Sequence, residues 1–219
     1  MSEIHVLVVD DEKEIADLVE IYLVSDGYKV YKASNALEGL EILEKETIHL
    51  VLLDIMMPGM DGLEMCRKIR ETNNIPIIML SAKSTDLDKI LGLGTGADDY
   101  VTKPFSPAEL TARVDALFRR TGGDEELEAD DEVVQPPFRL NTRNRTLEKN
   151  GQRVKLTQVE YGIVKLFMEN PGKALSREEI LDAVWGRDYF GELKIVDVNI
   201  RRLRIKIEDD ATNPVYITT

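Results

Sequence analysis

Five polar residues in the first half of the chain are of the kinds that can together hold a metal ion and a phosphoryl group. All of them stand at or just after the end of a predicted buried strand: Asp10, Asp11, Asp54, Ser81 and Lys103. Because ligand-binding groups of parallel sheets collect at the carboxyl ends of the strands, these side chains should converge at one edge. Three carboxylates that lie close together repel one another, and a hard divalent cation with oxygen ligands relieves that repulsion. The set therefore predicts a Mg²⁺ site.

The same residues predict phosphoryl chemistry. Asp54 ends the apolar run of "HLVLLDIMMPGMDG", and a buried carboxylate is costly unless it has a partner or a task. In this interpretation Asp54 is the nucleophile, Lys103 pairs with one phosphate oxygen and Ser81 donates a hydrogen bond to another. The alternative is that each acid is an ordinary solvated residue at a strand end; it fits any one of them better than it fits the whole set.

Alternating short apolar runs and amphipathic stretches must position these residues. The strands are predicted at His5–Val9, Lys29–Ala33, Leu50–Leu53, Pro76–Leu80 and Asp99–Thr102. Apolar residues recur at helical spacing after each of them, including one pattern at 87–91 and a last one at 110–117. Five β-α units predict an α/β fold, a doubly wound parallel sheet with helices on both faces.

The charge of the chain is sorted by segment. The 219 residues carry a net charge of −13, which divides into −9 for residues 1–121, −7 for residues 122–134 and +3 for residues 135–219. We expect a first domain at 1–121, a flexible acidic linker at 122–134 and a second, basic domain at 135–219. A basic module of this kind could bind nucleic acid although the whole chain is acidic.

Several functional classes are disfavoured by composition. No apolar run approaches the roughly 18 residues of a membrane span, and we expect a cytoplasmic protein without membrane contact. The single cysteine, Cys66, excludes an internal disulfide and shares a predicted helical stripe with apolar residues, which favours a core position. Two histidines far apart in the sequence make a zinc site improbable.

The second domain is predicted to begin with short strands and to continue with three helices. "FRL", "RTLEK" and "RVKL" read as strands, and Asn150-Gly151 between the last two predicts a hairpin turn. Thr157 with Glu160, and Ser176 with Glu179, fit capping boxes at the starts of two helices. A third helix is predicted at about 194–208.

The third helix carries a cationic face. Val196, Ile200, Leu203 and Ile207 share one side in the predicted helix, and the residues expected on the other side or its flank are Lys194, Val198, Arg201, Arg202 and Arg204. Arginine can contact guanine or phosphate in the DNA major groove, and valine can contact a thymine methyl group. The alternative for such a helix taken alone is a solvated basic face.

Four motifs carry a resemblance to a known family over residues 4–120. "VLVVDDE", "VLLDIMMPGMDG", "IIMLSA" and "GADDYVTKPF" resemble the signature of two-component response-regulator receiver domains, which have a flavodoxin-like (βα)5 fold. The resemblance implies that Asp54 accepts phosphate from a sensor histidine kinase. It also implies that Mg²⁺ is held by Asp11, Asp54 and the backbone carbonyl of Met56, with Asp10 acting through water. The Lys103-Pro104 peptide is expected to be cis.

The resemblance also implies how phosphorylation becomes a signal. Ser81 is expected to move toward the phosphate, and Tyr100 to rotate inward, which biases an existing two-state equilibrium. A homodimer is expected to form on phosphorylation through the face made by the fourth helix, the fifth strand and the fifth helix of the domain. The residues expected to form ion pairs across that dimer are Lys89 with Glu109 and Asp99 with Arg113. The alternative is that these are solvated charges of little energetic value.

Residues 137–219 resemble the winged helix-turn-helix DNA-binding domain of the OmpR/PhoB group through "LTQVEYGIVKLF", "SREEILDAVWG" and "VDVNIRRLRIKIE". This implies a transcription factor whose recognition helix starts at Lys194 and binds double-stranded promoter DNA with tandem repeats. The loop 186–193 is a candidate contact to RNA polymerase. Asn199 stands where a histidine is common. The sequence ends at "VYITT", where the group continues into a glycine-rich wing hairpin; we expect a truncated wing, whose restoration would tighten DNA binding.

Three other functions are compatible with parts of the sequence. A phosphatase of the haloacid-dehalogenase kind would need a second aspartate two residues after Asp54, where Met56 stands, so at most slow Mg²⁺-dependent autophosphorylation and autodephosphorylation are expected. A dinucleotide enzyme is disfavoured because the glycines of "GLGTGADD" end a helix and do not follow the first strand. A phosphate-regulated module that binds only proteins would differ from a DNA-binding one by lacking a steep salt dependence with DNA.

Overall fold

The computed structural model of the chain describes residues 3–82, 92–122, 132–187, 189 and 191–218. It divides into two compact units, Met1–Asp115 and Ala116–Thr219. The helical pattern predicted at 87–91, with Lys89, and most of the predicted acidic linker lie outside the described residues. Within the described ranges, no helix has both the length and the apolar character needed to cross a bilayer.

The first unit is built on a parallel sheet of five strands. The strands are β1 (His5–Val9), β2 (Lys29–Ala33), β3 (Leu50–Asp54), β4 (Ile77–Ser81) and β5 (Asp99–Thr102), in the order β2-β1-β3-β4-β5. The helices are α1 (Lys13–Ser25), α2 (Ala36–Lys45), α3 (Gly62–Thr72) and α4 (Pro107–Gly122). This confirms the predicted flavodoxin-like receiver fold.

The burial of the central strands explains why the polar residues sit only at their ends. Every residue of β3 and β4 is buried, as a parallel strand covered on both faces requires. The register pairs Asp54 with Leu80 and Ser81 with Thr102, so these strands end at the same edge. Cys66 is buried on α3, as predicted. The outer strand β2 is different, because Lys29 and Lys32 expose their side chains along the border of the sheet.

A close backbone contact holds α3 against the end of β3. The Asp61 side chain caps α3 by accepting the amide of Glu64 at 2.8 Å. A Cβ built on Gly62 would lie 2.1 Å from the backbone oxygen of Asp54. Only glycine permits this approach without displacement of the backbone, so Gly62 fixes the distance between α3 and the strand end that carries Asp54.

The second unit joins an antiparallel sheet to three helices. The strands are β6 (Glu132–Gln135), β7 (Phe138–Asn141), β8 (Thr146–Lys149) and β9 (Gln152–Val154), paired in that order. The helices are α5 (Gln158–Glu169), α6 (Arg177–Trp185) and α7 (Lys194–Ile207). Asn150 and Gly151 both have positive φ, 51° and 77°, which confirms the predicted hairpin turn.

The local signals at the helix starts are confirmed. Both predicted capping boxes form, Thr157 with Glu160 at the start of α5 and Ser176 with Glu179 at the start of α6. The only tryptophan, Trp185, is buried at the end of α6. The three helices pack on one another around apolar side chains, as expected for a winged-helix domain.

Regular secondary structure extends into both ends of the segment that we predicted as an acidic linker, 122–134. Gly122 is the last residue of α4, and β6 begins at Glu132. Val133 and Val134 are paired with Leu140 and Arg139 of β7. The acidic composition concealed this strand, although two consecutive β-branched residues, the first of them opposite Leu140, favour the extension of an existing sheet.

Candidate functional site

An acidic cluster lies at the carboxyl edge of the parallel sheet. Asp10 and Asp54 are buried, at 1% and 2% exposure, whereas Asp11 is exposed. One carboxylate oxygen from each of the three lies within 4.8 Å of the others. The structure thus brings together the three carboxylates that the sequence predicted. A set of oxygen donors from one exposed and two buried carboxylates fits a hard cation such as Mg²⁺.

Within the described residues, no other group of three or more acidic, histidine or cysteine side chains has this spacing. His5 and His49, which are far apart in the sequence, are close together in the fold. Their rings are neighbours, with centroids 5.4 Å apart, and the His5 amide donates to His49 Nδ1 at 3.0 Å. Adjacent strands brought them together across 44 positions of sequence.

Lys103 supplies the positive charge of the site. Its Nζ lies 2.8 Å from Asp10 Oδ2 and 3.1 Å from Asp54 Oδ1. The Lys103-Pro104 peptide is cis, as expected. A third carboxylate, Glu12, lies 3.2 Å from the same ammonium group. The sequence reasoning missed Glu12, because the contact joins residues 91 positions apart and nothing local marks it.

The pKa values of the site reflect a balance between burial and charge. Burial raises the pKa of Asp54; the nearby Lys103 lowers it, Asp10 and Asp11 raise it, and the net shift is upward. Burial alone would lower the pKa of Lys103, but its hydrogen bond to Asp10 and the charge of Asp54 outweigh burial and raise it. Lys103 is therefore firmly protonated, and Asp54 is a more basic carboxylate than a free one.

The loop after β3 holds Asp54 from the other side. The Met56 amide donates to Asp54 Oδ2 at 3.1 Å. The position two residues after the carboxylate carries no acid or base, because residue 56 is a methionine; its side chain is 54% exposed. This leaves Asp54 with one oxygen on a backbone amide and the other on a lysine, an arrangement suited to accepting a phosphoryl group.

The two predicted switch residues lie on the neighbouring strands. Ser81 is fully buried at the end of β4, and its carbonyl accepts the Lys103 amide at 2.7 Å. Tyr100 is buried on β5, and a Cβ built on Gly92 would lie only 2.9 Å from its ring. Tyr100 is thus shielded from solvent and packed closely against Gly92.

The predicted dimer residues pair within the chain. Arg113 Nη1 lies 3.1 and 3.0 Å from the two oxygens of Asp99, and Arg113 Nη2 lies 2.8 Å from Glu109 Oε1. Asp99 and Arg113 are both buried. Lys89 lies outside the described residues. The expectation that Asp99 and Arg113 meet across a dimer therefore needs this internal pair to open first.

The cationic face of α7 differs from the prediction. Val198 is buried, at 8% exposure, so its predicted position on the solvent face is wrong. Arg202 points inward and lies 2.9 Å from Glu160 Oε1, and Arg204 Nε donates to the Ile217 carbonyl at 3.0 Å. The guanidinium groups of Arg202 and Arg204 are therefore not freely exposed to solvent, contrary to our prediction, because α5 and the last residues of the chain contact that side of the helix.

The exposed stripe of α7 has a different composition. Arg201 is exposed, and Lys194 is half-buried. The residues that sequence reasoning missed there are Asp197, which pairs with Arg177 at 2.7 Å, and Ile205, which is 65% exposed. Asn199 is fully buried, and its amide donates to the Ile195 carbonyl at 2.9 Å. Asn199 is thus part of the interior and not of the exposed face.

The loop 186–193 is described only in part, since residues 188 and 190 lie outside the described ranges. Gly186 ends α6 with a φ of 91°, and its carbonyl accepts the Tyr189 amide at 3.1 Å. A positive φ there explains the glycine, because other residues rarely adopt that conformation.

Comparison with protein families and solved structures agrees with both units. The model of the response regulator receiver domain matches residues 6–115, and that of the C-terminal domain of transcriptional regulatory proteins matches residues 151–219. The chain is similar to response regulator DrrB, a Thermotoga maritima OmpR/PhoB homologue, with 34% identity over 100% of this chain and 95% of that one and a TM-score of 0.53.

Two further structures are similar to all or part of the chain. A mutant of RitR is 25% identical, with coverage of 94% of this chain and 90% of that one and a TM-score of 0.76. The receiver domain of the Francisella response regulator 1452 is 38% identical, with coverage of 54% of this chain and 99% of that one and a TM-score of 0.53.

Proposed function

Because the chain belongs to the OmpR/PhoB family of two-component response regulators, we propose that a sensor histidine kinase phosphorylates Asp54 and that this controls binding to promoter DNA. The chain is a DNA-binding transcription regulator and not a classical enzyme. The observation that carries the proposal is the buried Asp54 carboxylate, 3.1 Å from Lys103 and beside two further aspartates.

The chain's own residues account for the transfer step. An oxygen of Asp54 attacks the phosphorus, and the bond between phosphorus and the kinase imidazole breaks with its electron pair left on nitrogen. Lys103 then exchanges Asp54 for a phosphoryl oxygen, and Ser81 donates a hydrogen bond to another. Slow phosphorylation by small phosphodonors and slow autodephosphorylation belong to the same proposal, since Met56 offers no acid or base.

Mg²⁺ is proposed to be held by Asp11, Asp54 and the Met56 carbonyl, and by Asp10 through a water molecule. The ion would neutralise charge on the phosphoryl oxygens. The support for this assignment is the spacing of the three carboxylates and their mutual repulsion, which Lys103 alone offsets only in part.

The signal is proposed to leave the site through Ser81 and Tyr100 and to favour a homodimer. Of the three predicted dimer residues that the structure describes, Glu109 is the most accessible, at 37% side-chain exposure, and its proposed partner is Lys89. Asp99 and Arg113 would take part by exchanging their internal pair for one across the dimer. Burial makes this exchange costly, so it would occur only in a dimer that buries them again.

In the second unit, α7 is proposed to enter the major groove of promoter DNA with tandem repeats. The support is its exposed Arg201 and half-buried Lys194. The loop 186–193 is proposed to contact RNA polymerase, and the regulator is proposed to act in the cytoplasm.

One experiment tests the central step. The full chain is incubated with acetyl phosphate and Mg²⁺, and its intact mass is measured. We expect one added phosphoryl group, its absence in Asp54→Asn, and tighter binding to DNA at several salt concentrations after phosphorylation, with a steep salt dependence. An unaltered mass of the wild-type chain would overturn the proposal.

A further inference from the structure

A buried carboxylate connects the first helix of the DNA-binding unit to α7. Glu160 is fully buried near the start of α5. Its Oε1 lies 2.9 Å from Arg202 Nη2, and its Oε2 accepts Lys206 Nζ at 2.5 Å and the Thr157 amide at 2.8 Å. A buried carboxylate needs such compensation, and here two of its three partners come from α7.

The second capping box of the same unit provides an internal comparison. Glu179 makes the same contact as Glu160 with its own helix start, since its Oε2 accepts the Ser176 amide at 2.7 Å. Its other contact is a loose ion pair with Lys173 at 3.9 Å, and it is exposed. The difference between the two glutamates is therefore burial together with the pairing to α7, and not the capping role.

The two cations on Glu160 are four residues apart, so they lie on one side of α7 and about one helical turn from each other. Two contacts spaced along a helix restrict both its rotation about its own axis and its sliding. Arg202 is further held by Asn199 Oδ1 at 3.3 Å. Because successive residues are about 100° apart on a helix, fixing Arg202 inward turns Arg201 toward solvent.

We propose that Glu160 is a positioning residue for DNA recognition, which sets the rotation of α7 through Arg202 and Lys206 and so directs Arg201 at the bases. The inference deepens the proposed function, since it rests on α7 contacting DNA. It also assigns Arg202 and Lys206 to orientation of the helix.

The test compares Glu160→Gln with Glu179→Gln in the full chain, at a temperature where circular dichroism shows both to be folded. Two probes are titrated: a duplex selected from a random pool by the wild-type protein, and poly(dI-dC) as nonspecific DNA. For Glu160→Gln we expect affinity for the selected duplex to fall about tenfold or more, while nonspecific affinity changes less than about threefold, because specific contacts depend on helix placement and phosphate contacts much less. Glu179→Gln should resemble wild type with both probes.

A purely structural role would lower the stability of Glu160→Gln but leave the ratio of specific to nonspecific affinity as in wild type. That unchanged ratio in a folded variant would overturn the inference. If Glu160→Gln does not fold, Lys206→Met replaces it, with Lys155→Met as the matched loss of a neighbouring cation. We expect only Lys206→Met to lower the ratio, and equal ratios would contradict us.

A further variant separates the two claims. Arg201→Ala should weaken binding to the selected duplex whether or not Glu160 positions the helix. If Arg201→Ala binds as wild type does, the proposed role of α7 fails, and with it the inference. If Arg201→Ala weakens binding while Glu160→Gln does not, only the positioning role of Glu160 fails.

Discussion

Replacing Lys103 by methionine should strongly destabilise the first unit in the absence of divalent metal. Lys103 Nζ lies 2.8 Å from Asp10 Oδ2 and 3.1 Å from Asp54 Oδ1, and both aspartates are buried. At an effective dielectric constant of about 20, each contact is an attraction of roughly 5 to 6 kcal/mol before desolvation is subtracted. Removing one partner of a buried ion pair costs about 3–5 kcal/mol net, which for a domain of this size lowers the melting temperature by roughly 10–20 °C.

The assay is thermal unfolding of the full chain at pH 7 with a metal chelator, followed by circular dichroism and by tryptophan fluorescence. The only tryptophan, Trp185, is in the second unit, so its transition should be unchanged in Lys103→Met. Addition of Mg²⁺ should raise the melting temperature of Lys103→Met more than that of wild type, because the ion binds a cluster that has lost the Lys103 ammonium group.

Lys32→Met is the matched control. Lys32 also lies between two carboxylates, Asp17 at 2.7 Å and Glu20, but its side chain is 34% exposed. Solvent screens this cluster, so its loss should have a much smaller effect. Equal melting temperatures for Lys103→Met and wild type without metal would refute the electrostatic account of the acidic edge.

Three further outcomes are expected. Gly62→Ala places a Cβ 2.1 Å from the Asp54 carbonyl oxygen, so it should cost about 1–3 kcal/mol or more in chemical denaturation and slow phosphorylation by acetyl phosphate; Gly94→Ala, with nothing within 4 Å of its Cβ, is the control. Asp54→Asn should stabilise the first unit at neutral pH. Burial raises the folded-state pKa of Asp54 above its ordinary 3.8, so the ionised carboxylate opposes folding above that pKa, and the gain should vanish below about pH 3.8 in melts across pH. A gain that persists there would contradict this sign. Glu109→Gln should weaken the phosphorylated dimer about twofold to fivefold in analytical ultracentrifugation, as expected for an exposed ion pair; unchanged dimer affinity would remove Glu109 from the interface.

The positions of the acidic cluster could be predicted from the sequence because they follow from local signals. Apolar runs that stop at a carboxylate mark strand ends, and parallel strands bring their ends to one edge. The turn at Asn150-Gly151 and the boxes at Thr157 and Ser176 are likewise determined by residues within a few positions of one another. Turns and helix caps can be predicted from neighbouring residues when no contact with a distant part of the chain overrides them.

The structure differs from the sequence-based prediction where the surroundings of a side chain are made by residues far away in the sequence. Periodicity predicts Val198 on the open side of α7, but Val198 is buried, because the extent of the buried side depends on what packs against the helix. The sequence predicts Arg202 as a DNA contact because its partner, Glu160, is 42 residues earlier and no local signal links the two. Glu12 was missed for the same reason. A charge pattern on one helix does not show which cations are already neutralised by another.

The outer position of β2 affects how this protein behaves when it is concentrated. An unpaired strand border can add a strand from another molecule and start aggregation. Here Lys29 and Lys32 line that border, and each would have to lose its hydration or its acidic neighbours before a second molecule could dock along the backbone. Substituting both with threonine should therefore promote self-association through the sheet while leaving phosphate chemistry at the carboxyl ends of β1 and β3 intact.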